Sequence, residues 1–419
     1  MKNFLLLSSI ILISLAVRLY NFENRLTYGP EQARSLVVSA RYIKEKPSLL
    51  GQEYFRVNSQ GHKLFTSALF NYSLVPLLLI FNYQVIPITY FFVILNVITG
   101  LVVYFLVKKM LGYNAGLLSL ILYLFNSYMI YHSMFIWVLN YMPLIGILSL
   151  YLCWKIYKKK YFNKDIFFLG ILSGIGFGFE YLYILAILPV MFVLFKYSKN
   201  KIKDFAILAV GGLMGDAPQI LFDLKHNFYH LRTLLQYGLD TLNGVSDAGF
   251  VYYHFLHFWP LLIILLSLLI LKICKRNIFL GVMLIVLYLY LNLTSVHINF
   301  RKPVGMFEGL NFKNINTAAK IISEKASDNF NVVTLYDFDT RGYTLRYLVE
   351  YVYGKKPMGE IDYPSSNEIF ALAKNDYDFN KNNPWELNVY KPYNISRIEE
   401  IRESFSLYRI TKDLTNKDN

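Results

Sequence analysis

Apolar residues run almost unbroken through stretches at 4–20, 87–107, 114–131, 139–157, 165–179, 181–197, 204–222, 256–273 and 277–296. Each approaches the ~20 residues an α-helix needs to cross a bilayer, so the pattern predicts about nine transmembrane helices. A further run, 64–83, is interrupted by Asn71, Tyr72, Ser73, Pro76 and Asn82. Compact cationic clusters punctuate the runs: Lys108 with Lys109, Lys155 with Lys158, Lys159 and Lys160, Lys196 with Lys199, Lys201 and Lys203, and Lys272 with Lys275 and Arg276. The positive-inside rule assigns these clusters to the cytoplasm. With Lys2 holding the N-terminus inside, the first polar loop is external, and an odd number of crossings must separate it from Lys108. The run 64–83 is then not a span but a helix lying in the outer interface, or one that dips in and returns. Parity also makes 165–197 a helical hairpin with Glu180 and Tyr181 at its external tip, and it leaves the C-terminus outside.

The segment MKNFLLLSSIILISLAVRLY has the basic start and apolar run of a secretory signal. Val17, Arg18 and Leu19 follow the run where a small-residue cleavage site would stand, so the segment reads as an uncleaved first helix. From about Arg301 the chain turns polar. An amphipathic helix over 311–326, a buried strand over 331–336, a helix over 341–353, and strands over 368–373 and 404–409 predict a small external α/β domain. The fold class is therefore a polytopic α-helical membrane protein of about nine spans plus external interfacial helices, with a small C-terminal α/β domain. Its division is 1–300, including an external loop 21–86, and 301–419.

Composition supports the membrane assignment: 55% of the 419 residues are hydrophobic and 17% aromatic. The net charge of +14 is compatible with nucleic acid or a membrane surface. Because the cations cluster between apolar runs and in the first loop, membrane lipid is the expected partner and nucleic acid is not. Cys153 and Cys274 lie far apart in apolar runs and suggest neither a disulfide framework nor a metal site.

The first loop holds the densest candidate chemistry. Gly29-Pro30-Glu31-Gln32-Ala33-Arg34 has the composition of a helix start, with Pro near the first helical position and an acid in the first turn. Glu31 faces Arg34, Arg41, Lys44, Lys46, Arg56, His62 and Lys63 along the same loop, a carboxylate among cations that suits an anionic ligand. A base at Glu31 taking a proton from an acceptor hydroxyl while cations neutralise a departing phosphate is one reading. The other is structural: Glu31 complements the helix terminus and pairs with Arg34 at i, i+3, and the helix 32–46 lies on anionic headgroups.

His62 follows Ser59, Gln60 and Gly61, and is either a surface histidine or a phosphate or sugar contact. His132, with Trp137 and Asn140, sits at an outer helix end where it can meet a sugar, although an interfacial aromatic belt also explains the tryptophan. Glu180 is an acid between apolar helices, which is costly unless it faces water or a partner. His254 and His257 stand at i, i+3 without an evident third ligand for zinc. In the tail there is no glycine-rich phosphate loop, and Trp385 with Glu386 reads as packing.

The order RL…F…R…G-x-E-Q-A-R…A-R-x-I…K-P-x-L-L-G, then G-H-K, then KKMLGYNAG resembles the GT-C membrane glycosyltransferases, in the bacterial branch of protein mannosyltransferases and aminoarabinose transferases. YHSMFIWVLNYMP (131–143), LGILSGIGFGFEYLYIL (169–185) and GGLMGDAPQILFDLKHNFYHLR (211–232) extend the resemblance over roughly residues 5–300. It implies an acidic catalytic residue in the first external loop, for which Glu31 is the matching position. It further implies a sugar donor on polyprenyl phosphate or pyrophosphate and transfer with inversion. Many members carry Asp there, often followed by Glu; a single Glu after Gly-Pro leaves a divalent cation open, because a metal site would want a second carboxylate.

The chain is expected, from the resemblance and the placement of its first loop, to be an external-face glycosyltransferase of the cytoplasmic membrane. Glu31 is the expected base; Arg34, Arg41, Lys44, Arg56 and Lys63 bind or steer the donor phosphate; His62, His132 and Glu180 line the cavity. The acceptor is a glycan, lipid or protein that the sequence does not name. The alternative from another class is a transporter or flippase of lipid-linked sugars, although no internal repeat is evident.

Overall fold

The computed structural model describes residues 2–245, 251–381, 383–402 and 404–413, without the side chains of Lys2, Asn3, Phe55 and Arg56. The chain opens with α1 (Lys2–Leu19), α2 (Phe22–Arg25) and α3 (Pro30–Lys44), then a hairpin of β1 (Leu50–Val57) and β2 (Lys63–Ser67). Helices follow as α4 (Leu69–Ile80), α5 (Val85–Leu111), α6 (Tyr113–Leu124), α7 (Ser127–His132), α8 (Met142–Tyr157), α9 (Asn163–Phe179), α10 (Ile184–Tyr197), α11 (Lys201–Gly215), α12 (Ala217–Lys225), α13 (Tyr229–Leu242), α14 (Trp259–Arg276) and α15 (Ile278–Leu293). The tail contains α16 (Phe312–Lys325), β3 (Phe330–Thr334), α17 (Tyr343–Tyr347), β4 (Glu368–Lys374), α18 (Trp385–Asn388), β5 (Tyr393–Arg402) and β6 (Phe405–Lys412).

Every predicted span is helical over most of its length, but the runs are not equally continuous. Among the described residues, Val85–Leu111, Val138–Tyr157 and Tyr252–Arg276 are long and apolar enough to cross a membrane, and the bent pair α11–α12 adds a fourth if counted as one span. Phe4–Leu19, Tyr181–Tyr197 and Ile278–Leu293 are apolar but shorter.

Three expectations need correction. The run 204–222 is not one straight helix: α11 and α12 meet at 82°. Asp216 leaves helical geometry at φ −120°, ψ 41°, and Pro218 in the first turn of α12 has no N–H to continue the ladder. The run 114–131 breaks at Asn126, whose side chain takes the amides of Tyr128 and Met129 and so starts α7 afresh. The run 64–83 is a strand before it is a helix. Residues 63–67 pair with β1, and only α4 is helical, with Pro76 inside it.

The chain divides into two compact units: Met1–Leu19, Arg41–Val75 and Tyr90–Ile298 form the first, and Tyr20–Ala40, Pro76–Thr89 and Asn299–Asn419 the second. In the first unit, Arg18 is fully buried. Its guanidinium donates to Ser14 Oγ at 2.7 Å, Leu124 O at 2.9 Å and Asn96 Oδ1 at 2.8 Å, tying α1 to α5 and α6. Helices α9 and α11 pack backbone to backbone through glycines four apart. A Cβ at Gly174 would lie 2.1 Å from Gly212 O, and one at Gly211 2.4 Å from Phe167 O. Small residues at this spacing are how membrane helices approach closely when lipid removes the hydrophobic drive.

In the second unit a four-stranded sheet runs in the order β3-β4-β6-β5, parallel between β3 and β4 and antiparallel elsewhere. Its core includes Val333, Tyr363, Ile369, Ala371, Leu387 and Ile410. The amphipathic α16 buries Phe312, Ile315, Ala318, Ala319 and Ile322. The predicted helix 341–353 is split into α17 and a π-helical stretch, Leu348–Val352. Strand β5 was not expected, since its alternation is masked by Arg397, Glu399, Glu400 and Arg402 on an exposed edge, where charge guards against pairing with other chains.

Candidate active site

Glu31 stands exposed in the first turn of α3. The turn is closed from both directions: Ala33 N donates to Gly29 O at 3.1 Å, and Gln32 Oε1 reaches back to Gly29 N at 2.8 Å. This is half of a capping box, and it explains why Pro-Glu-Gln begins a helix here. The carboxylate therefore sits at the positive end of the helix dipole while remaining open to solvent.

The second unit holds the chain on either side of that carboxylate. Thr27 Oγ1 donates to Val304 O at 2.8 Å, and Tyr28 OH to Thr344 O at 3.1 Å, with the Tyr28 ring edge-on to Phe312 at 5.3 Å. Arg25 donates to Asn299 O at 2.7 Å and lies over Phe300. One turn beyond Glu31, Arg34 is buried with its guanidinium 5.6 Å from the centroid of Tyr343.

Next to it, Asp339 accepts from Tyr343 N, and Asp337 Oδ1 accepts from Asp339 N at 2.9 Å. Burial pushes Asp337 up to about 7, with the neighbouring Asp339 charge adding to the effect. Burial raises Asp339 to about 6, against the Tyr343 amide and the attraction of Arg34 and Arg346.

The other candidates belong to the first unit. Arg41 is half-buried and Lys44 exposed, both in the last turn of α3. Lys63 Nζ lies 3.1 Å from Glu53 across the β1–β2 hairpin. His62 packs its ring on Tyr229 at 5.5 Å, and Asn58 Oδ1 accepts its amide. Arg56 lies in β1, with its side chain outside the described residues.

The hairpin rests on a polar network. Tyr181 OH donates to Phe65 O at 2.5 Å and lies 3.0 Å from His230 Nε2, and Ser67 Oγ donates to Asp216 Oδ1 at 2.6 Å. Asp240 accepts from both the amide and the hydroxyl of Ser59.

Glu180 ends α9. Its Oε1 accepts from Leu182 N at 3.1 Å, and its Oε2 lies 2.7 Å from His254 Nδ1. That contact orients the imidazole and favours a proton on Nδ1. His132 is buried, stacked on Trp137 at 5.4 Å and packed against Phe135, Tyr131 and Tyr252; both ring nitrogens lack hydrogen-bond partners among the described residues. Ring contacts from Trp137 to Tyr253 and from Tyr253 to His254 connect His132 with the Glu180 pair.

In the sequence His254 stands out only by its i, i+3 spacing to His257; its partner Glu180 is 74 residues away, beyond any local signal. His257 instead packs on Tyr183. Among the described residues no three His, Cys, Asp or Glu side chains gather as a metal site.

The pattern of the dolichyl-phosphate-mannose-protein mannosyltransferase family matches residues 68–217. No curated protein matches the sequence. The structure is similar to that of ArnT from Cupriavidus metallidurans bound to undecaprenyl phosphate, with a TM-score of 0.62 at 10% identity over 96% of this chain and 97% of that one. The apo form of ArnT gives 0.61 at 10% identity over 97% and 98%. The fold is that of the GT-C membrane glycosyltransferases, as the resemblance implied; the family match covers the segments 131–143 and 169–185 and begins beyond the first loop.

Proposed function

We propose that this chain transfers a sugar from a polyprenyl-phosphate-linked donor to an acceptor at the external face of the cytoplasmic membrane, with Glu31 as the base. The observation that carries this reading is the exposed Glu31 carboxylate in the capped first turn of a helix. It is supported by likeness to a protein crystallised with undecaprenyl phosphate. Glu31 takes the acceptor hydroxyl proton as the oxygen attacks the anomeric carbon. The bond from that carbon to the phosphate oxygen breaks, and the polyprenyl phosphate leaves with the electron pair, inverting the centre.

Arg34, Arg41, Lys44, Arg56 and Lys63 are assigned to the donor phosphate, and His62, His132 and Glu180 to the sugar or acceptor. For Arg34 that role means working from its place over Tyr343, and for Lys63 it means releasing Glu53.

The test is transfer by purified Glu31→Gln in the presence of donor and acceptor. Loss of about 10²-fold or more in turnover is expected for removal of a general base; transfer at the wild-type rate with normal folding sinks the assignment. Release of free polyprenyl phosphate only when donor and acceptor are both present separates transfer from flipping. Chelator treatment of the same assay reads any divalent-cation requirement.

A further inference from the structure

At the lysine-bearing ends of α9 and α11, far in sequence from the first loop, lies a cavity of about 650 Å³ lined by Tyr161, Phe162, Lys164, Lys199, Lys203 and Asp204 among others. The nearby carboxylates are committed. Asp204 Oδ2 accepts from Tyr161 OH at 2.8 Å and Ser198 Oγ at 2.6 Å, and Asp165 is held by Lys155 at 2.5 Å and by the Phe162 amide at 2.8 Å. The Tyr161 hydroxyl also accepts the Lys199 amide at 2.6 Å, so the floor is a fixed hydrogen-bonded structure. Lys199 and Lys164 lie over the rings of Tyr161 and Phe162, at 5.6 Å and 5.9 Å. Three lysines thus line one concavity, and the acids beside it, Asp165 and Asp204, are spent on other donors.

The surroundings identify the kind of anion. Phe162 is 67% exposed and Ile202 87% exposed, and Phe168 and Phe195 on the adjoining helices are exposed too. An apolar rim of this kind meets acyl chains, whereas a site for a soluble anion would open onto a polar surface.

We propose that this cavity binds the phosphodiester headgroup of an anionic membrane phospholipid, with Lys164, Lys199 and Lys203 around the phosphate and the glycerol and upper acyl chain against Phe162 and Ile202. Basic pockets between membrane helices recognise headgroups in this way, each cation near the surface adding to the attraction. The assignment is independent of the glycosyl-transfer reading.

Native mass spectrometry of the full chain in detergent tests it, with phosphatidylglycerol and phosphatidylcholine of identical acyl chains as probes. The expected result is retention of phosphatidylglycerol over phosphatidylcholine. Lys164→Gln/Lys199→Gln/Lys203→Gln should weaken that retention by about tenfold or more. Lys158→Gln/Lys159→Gln/Lys160→Gln, which removes equal charge from exposed positions outside the lining, should change it by less than about twofold. Arginine at the three lining positions should preserve it. Should the glutamine triple fail to fold, Lys203→Gln alone at its exposed position is read in the same way, with about threefold loss. Equal loss from both glutamine triples, absence of a phosphatidylglycerol preference, or displacement of the lipid by ~10 mM inorganic phosphate each overturns the proposal.

Discussion

Asp337 and Asp339, held protonated by burial, should make the stability of the second unit dependent on pH. Asp337 has an ordinary carboxyl value of 3.8 that burial raises to about 7. Between those values the folded domain keeps a proton that the unfolded chain has lost, so stability present at low pH declines as pH rises through the window. At about 1.4 kcal/mol per unit the full shift corresponds to about 4 kcal/mol, and partial solvent access to Asp337 reduces this to about 2 kcal/mol. Asp339, raised to about 6, adds to the same slope, and because each charge disfavours the other the pair titrates jointly.

Asp337→Asn removes one titration and keeps an oxygen for the Asp339 amide that Asp337 Oδ1 now accepts. The assay is hydrogen exchange of the full chain, read on peptides from β3 and β4 between pH 5 and 8 and corrected for intrinsic exchange with an unstructured reference. In the wild type, the free energy of opening should fall by about 2–4 kcal/mol across that range. In Asp337→Asn it should fall by about half as much, leaving the variant more stable at pH 8. A flat or rising wild-type curve, or an unchanged slope in the variant, refutes the reasoning.

Two further outcomes follow from the first unit. Arg18→Met strips donors from Leu124 O and Asn96 Oδ1, and should lower stability by about 3 kcal/mol, read as a fall in thermal unfolding midpoint in detergent. An unchanged midpoint would mean that the α1 anchor is dispensable. Gly174→Ala forces a Cβ within 2.1 Å of Gly212 O and should destabilise by about 1–3 kcal/mol, whereas Gly238→Ala, with open space around it, should be neutral or slightly stabilising. Equal effects at the two glycines would remove the close α9–α11 contact as the explanation.

Much of the helical framework was legible because apolar runs of near-membrane length leave few alternatives. Glu31 was singled out by its position in the first loop and by the resemblance, and its helix begins at the Gly-Pro-Glu-Gln start. The hairpin β1–β2 was not legible: Leu64 and Phe65 continue an apolar run, and only pairing with residues 50–57 shows that they are strand. Arg34 reads as one cation among several in a basic loop, yet its ring partner Tyr343 comes from beyond the last apolar run. Glu180 was recognisable as costly in an apolar hairpin, but not the histidine that meets it.

The features legible in the chain before folding are local: where it is apolar enough to be helix, and where a helix start presents an acid. Tertiary structure decided which distant groups complete those features, because a buried polar atom must find its partner in three dimensions and neither periodicity nor composition encodes that choice. Asp216 shows the difference: its place in an apolar run was visible, while the 82° bend and the bond from Ser67 exist only once the chain is folded.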